Sequence, residues 1–101
     1  FLKVSDCSQV SDGGAALVLA SEAGLRALGK RPADCVEVLA CQVATDSLYT
    51  DGDLTFMETT HAAASRAYAA AGVSAKQLQV AEVPDCFTIA EVQMYEALGL
   101  A

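Results

Sequence analysis

Residues 79–91 read Gln79-Val80-Ala81-Glu82-Val83-Pro84-Asp85-Cys86-Phe87-Thr88-Ile89-Ala90-Glu91, and their order decides the fold expected of the whole chain. Val80 and Glu82 alternate with Ala81 and Val83, the period-two pattern of a strand over 79–83. Pro84 has no backbone N–H and fits only where a ladder no longer needs one, so the strand ends there. Thr88 then supplies a helix cap, Phe87, Met94, Tyr95 and Leu98 supply apolar contacts, and Gly99 stops the helix. A strand that passes through a short loop into a helix is the unit of α/β layer architectures.

A strand followed by a helix is also read upstream, without a clear internal repeat. Gly13-Gly14 opens the apolar run 15–20, read as a buried strand. Ser21 caps a helix that runs to Leu28, with Gly29, Lys30, Arg31 and Pro32 as its stop. The Val-rich run 35–44 reads as a second strand, and 45–55, with Asp46, Asp51, Gly52 and Asp53, reads as a loop. A second helix, capped by Thr59-Thr60 and ended by Gly72, carries His61, Ala64, Tyr68 and Ala71 on one face. Such a small-residue face permits close approach to a neighbouring element. Residues 74–78 form a short connector. The expectation is therefore α/β, strands alternating with helices around an incomplete sheet whose outer edges are unpaired.

Composition narrows the function classes. The chain has 101 residues, enough for one modest domain, and is 53% hydrophobic, which excludes disorder. Six Lys+Arg against thirteen Asp+Glu give a formal net charge of −7. That excludes general nucleic-acid binding and an anionic membrane surface as main partner, although Arg26, Lys30 and Arg31 leave room for a local basic site. No apolar run approaches the roughly 18 residues of a membrane span. The opening at Phe1 shows neither an initiator Met nor a signal-peptide pattern, and reads as part of something longer. So much apolar surface in so short a chain is expected to meet another segment or subunit. One His and four scattered cysteines, Cys7, Cys35, Cys41 and Cys86, make no metal-ligand pattern, so no metal is expected. The thiols read as reduced, in an intracellular protein, with Cys35 and Cys41 as buried small hydrophobes on one strand face.

Two loops hold the candidate chemistry. In residues 6–14, Ser8 and Ser11 offer hydroxyls to a polar chain, and Gly13-Gly14 permits positive φ and close backbone approach. The plainer reading is a turn with Asx and Ser caps. In residues 82–91, Cys86 falls beside a helix N-terminus, whose dipole favours an anion, and could act as nucleophile or as acid/base. The plainer reading is a structural Cys, with Asp85 as a cap and Glu91 as an exposed helix residue. His61 reads first as a capping or packing residue, since nothing in the spacing brings it to Cys86.

Together the two loops resemble the thiolase superfamily, and within it the sterol-carrier type. Ser8-Gln9-Val10-Ser11-Asp12-Gly13-Gly14-Ala15-Ala16-Leu17-Val18-Leu19 is similar to the family's S-x-x-x-D-G-A-A-A-x-x-L segment, where the first half of the fold passes into the second. Ala71-Gly72-Val73 with Val80-Ala81-Glu82-Val83 resembles the run before the N-E-A-F loop. That loop reads H-D-C-F in the sterol-carrier branch and Pro84-Asp85-Cys86-Phe87 here. Tyr95-Glu96-Ala97-Leu98-Gly99-Leu100 is similar to the stretch that closes the following helix. On this resemblance, residues 1–20 end the N-terminal half and 21–101 begin the C-terminal thiolase domain.

The resemblance implies an acyltransferase that cleaves or forms 3-ketoacyl-CoA, with coenzyme A and acyl-CoA as substrates and no bound cofactor. It also implies a homo-oligomer, dimer or tetramer. A nucleophilic Cys takes the acyl group, dividing one hard displacement into two easier steps. The motifs that carry this nucleophile (C-x-S) and its activators (G-H-P, C-x-G) would lie before Phe1 and beyond Ala101. What maps here is Ser8, at the position that contacts pantetheine, and the loop Pro84, Asp85, Cys86 and Phe87, in which Cys86 sits by the reacting carbon and assists proton transfer. Pro84 departs from the pattern: it stands where the family has His or Asn, a member of an oxyanion hole, and it has neither a polar side chain nor an N–H. Two rivals follow: a non-catalytic relative that binds acyl-CoA, lipid or a partner, and a small α/β interaction module.

Overall fold

The computed structural model describes residues 3–49 and 52–101. Asp51, assigned above to the 45–55 loop, lies outside the described residues, as does Phe1. Three α-helices are present among the described residues: α1 Glu22–Ala27, α2 Glu58–Ala71 and α3 Thr88–Ala97. Short 3₁₀ turns lie at Val4–Asp6, Pro32–Asp34 and Ala75–Gln77. The chain divides into two compact units, one of Val10–Leu39 and one of Phe1–Gln9 with Ala40–Ala101.

The first unit is built around α1. Ser21 Oγ accepts the Gly24 N–H at 3.2 Å, satisfying one of the orphan donors of the first turn, as the sequence predicts. At the other end Gly29 adopts φ 65°, while its N–H and that of Lys30 return to the carbonyls of Arg26 and Leu25. Arg26 meets Glu22 at 3.5 Å, and Arg31 forks onto Asp34 at 2.7 and 3.1 Å. That hydrogen bond lowers the Asp34 pKa and raises that of Arg31. Two of the three bases that left room for a local basic site, Arg26 and Arg31, each pair with an acid.

In the second unit α2 packs on α3. The expected face of α2 is the one used: Ala64 is buried, and His61 and Tyr68 reach carbonyls at the end of α3. Ala97, only 1% exposed, is the most enclosed of the described residues, and its carbonyl lies 3.0 Å from His61 Nδ1 of α2. Thr59 and Thr60 do not cap α2. Met57 is its N-cap with no side-chain capping bond, Thr60 Oγ1 donates to Met57 Sδ at 4.0 Å, and Thr59 Oγ1 donates to Asp46 across the preceding loop at 3.1 Å.

The α/β expectation is corrected. Among the described residues there is no strand and no sheet, only one isolated antiparallel bridge between Cys7 and Phe87. Residues 15–20, 35–44 and 79–83 have strand-like composition, but none pairs into a ladder. β propensity is a fit to a pleated, half-covered surface, and a strand without a neighbour gains nothing from it. Val18 and Val36 are accordingly 90% and 95% exposed. Cys35 and Cys41 are exposed rather than buried, and all four cysteines are free. Gly13 and Gly14 do not take positive φ, and no atom crowds either backbone. No described helix is long and apolar enough to cross a membrane.

Candidate functional site

Cys7 and Ser8, at the start of the first loop singled out by sequence, meet the second loop. The Ser8 N–H donates to the Cys86 carbonyl at 2.9 Å, beside the antiparallel pairing of Cys7 with Phe87. The 3₁₀ turn Val4–Asp6 delivers this segment: the Asp6 carboxylate accepts the Lys3 N–H at 2.8 Å, and the Cys7 N–H closes the turn onto Val4. Cys7 then leaves in an extended conformation, φ −113° and ψ 138°, suited to bridge formation. Phe87 is extended as well, at φ −137° and ψ 139°.

Phe87, not Thr88 or Asp85, is the N-cap of α3. Its carbonyl accepts the Ala90 N–H at 2.8 Å and the Glu91 N–H at 3.4 Å, and no side chain caps the helix. The bridge to Cys7 holds Phe87 in the extended conformation that an N-cap requires, so the clasp and the start of α3 are one device.

The residues of the loop face solvent. Ser8, Pro84, Asp85 and Cys86 are exposed, and Phe87 is 51% exposed. Ser8 Oγ donates to the Gln9 carbonyl at 3.2 Å, which leaves its oxygen able to accept from a ligand. Pro84 contributes no donor, consistent with its covalent structure. Further along α3, Tyr95 Oη donates to the Glu91 carboxylate. That bond raises the Tyr95 pKa, with desolvation and the charges of Glu91 and Asp85 adding to it. Sequence reasoning treated Tyr95 as a packing group; its i,i+4 spacing from Glu91 was the available signal.

His61 is not part of this cluster. Its Nδ1 lies 3.0 Å from the Ala97 carbonyl at the far end of α3, and a ten-residue helix rises about 15 Å. A Cys86–His61 dyad is therefore out of hydrogen-bond reach. Among the described residues no group of three His, Cys, Asp or Glu side chains is gathered to hold a metal.

Comparison with known proteins bears on the same segments. Residues 40–101 match the family described as Thiolase C-terminal domain-like. Sterol carrier protein 2 of Homo sapiens is 36% identical over 99% of this chain, which covers 19% of that protein. The acetyl-CoA acetyltransferase of Methanocaldococcus jannaschii is 32% identical over 97% of the chain and 25% of its own length. Benzoylsuccinyl-CoA thiolase subunit BbsB of Thauera aromatica is 32% identical over 98% of the chain and 26% of its own length. The chain spans about a fifth to a quarter of the relatives it matches.

Proposed function

This chain belongs to the thiolase superfamily, with a sterol-carrier-type relation, and we propose that the protein carrying it is a coenzyme-A-dependent acyltransferase that cleaves or forms 3-ketoacyl-CoA. The observation that carries the proposal is the 2.9 Å bond from the Ser8 N–H to the Cys86 carbonyl, which unites the two loops that resemble the family's substrate site. In this reading Ser8 contacts the pantetheine arm. The Cys86 thiol stands by the reacting carbon and exchanges a proton with it, as general acid/base catalysis requires. Asp85 and Phe87 shape the same loop. The acyl group is carried by a nucleophilic Cys that this chain does not supply: no C-x-S, G-H-P or C-x-G motif occurs in its sequence. Substrate binding and proton transfer are this segment's share of the chemistry.

Pro84 favours a second reading. Losing one oxyanion-hole donor costs about 10²–10³ in rate, so a relative with Pro84 could keep acyl-CoA or lipid binding and lose turnover. The full-length protein separates the two. Thiolysis of a 3-ketoacyl-CoA by free CoA, giving a shortened acyl-CoA and acetyl-CoA, is expected on the first reading. Saturable acyl-CoA binding without product is the outcome that replaces it with the second.

A further inference from the structure

The last four carbonyls of an α-helix have no partner within it. In α3 every one is satisfied, and the two helices divide the task. The Leu100 N–H returns to Tyr95 O at 2.9 Å and the Gly99 N–H to Glu96 O at 3.0 Å, with Gly99 at φ 70°, which is a Schellman motif. That motif cannot reach the two carbonyls that follow. His61 Nδ1 lies 3.0 Å from Ala97 O, and Tyr68 Oη donates to Leu98 O at 2.9 Å. A carbonyl only accepts, so Nδ1 is the protonated nitrogen of His61, leaving Nε2 toward Ser65 Oγ at 3.5 Å. The Phe56 ring, 5.6 Å from the imidazole between centroids, packs beside it.

The opposite end of α3 is held by the Cys7–Phe87 bridge and the Ser8–Cys86 bond. A helix does not stretch, so fixing one end along the axis fixes the other. We infer that His61 and Tyr68 are positioning residues for the Ser8–Cys86 clasp, holding α3 from its far end so that Cys86 is presented in register with Ser8. The functional meaning of that register rests on the acyl-CoA reading above, but its readout does not.

The test is amide hydrogen exchange, resolved by residue, in the full-length protein. His61→Ala is expected to speed exchange of the Ser8 amide about five- to tenfold, the scale of one lost hydrogen bond. The Val73 amide, bonded to Tyr68 O within the same unit, keeps its rate. Tyr68→Phe moves Ser8 in the same direction. His61→Asn, whose amide N–H falls near the place of Nδ1, restores the slow rate, and His61→Gln, whose amide falls near that of Nε2, does not. The inference is overturned if only the Leu98 and Leu100 amides accelerate, because the caps would then be local. It is equally overturned if all amides accelerate together, or if Asn rescues no better than Gln. Exchange that follows this pattern in a protein without thiolysis would sustain the inference while the proposed activity fails.

Discussion

The backbone N–H of Ser8 donates to the carbonyl of Cys86 at 2.9 Å, fastening an extended segment to the loop that starts α3. The bond belongs to the backbone, while the contact assigned to pantetheine belongs to the Ser8 hydroxyl. The two are separable. Ser8→Ala keeps the N–H and is expected to leave stability within about 0.5 kcal/mol while raising the KM for the CoA substrate about fivefold. Ser8→Pro removes the donor and orphans the carbonyl, and is expected to cost about 1–3 kcal/mol. Chemical denaturation with steady-state kinetics checks both variants.

In the proposed acyl-CoA reading, Pro84 stands at an oxyanion-hole position and offers no donor there. Pro84→His is expected to raise thiolysis kcat about 10²-fold or more, with little change in KM, since an oxyanion hole acts in the transition state. Equal kcat in both proteins would remove the oxyanion role from this position.

Gly99 ends α3 at φ 70°, a conformation that crowds a Cβ against its own carbonyl. The added methyl of Gly99→Ala would meet Ala75 Cβ at 3.5 Å, an ordinary contact, so backbone strain decides the cost. A loss of about 1–2 kcal/mol is expected in chemical denaturation. An unchanged midpoint would mean that the turn can be closed another way.

Tyr95 gives a dependence at alkaline pH. Its phenol donates to Glu91, and ionising it would set two negative charges side by side, so folding raises its pKa. A raised pKa stabilises the folded state fully below the ordinary value of about 10, and the contribution is lost as pH rises through the folded value. The denaturation midpoint should fall above about pH 10 in the parent and more shallowly in Tyr95→Phe. Parallel curves would disprove the link.

What the sequence made legible was local. Ser21 sits three residues before the Gly24 amide it caps, and the glycines that stop α1, α2 and α3 need only their own backbone. The α2 face was readable because His61, Ala64 and Tyr68 recur at helical spacing. The strands were not, since Val36 or Val80 shows a β preference whether or not a neighbour exists to pair with. The cap of α3 was misplaced by one residue, because the bridge to Cys7 holds Phe87 extended, and nothing near Phe87 in sequence announces that partner. Ala97 was invisible as a core residue, being one alanine among many in the sequence and yet only 1% exposed in the fold. Periodicity and spacing say nothing about the meeting of Ser8 with Cys86; family resemblance alone put both loops at one substrate, without the backbone bond that joins them.

The most direct test of the central claim is the turnover of a 3-ketoacyl-CoA with free CoA by the full-length protein and by its Cys86→Ala variant, with acyl-CoA binding measured alongside. Proton transfer by Cys86 predicts that kcat falls about 10²-fold or more while the Kd for acyl-CoA holds. Undiminished kcat in Cys86→Ala would contradict it and return Cys86 to the role of an exposed structural residue.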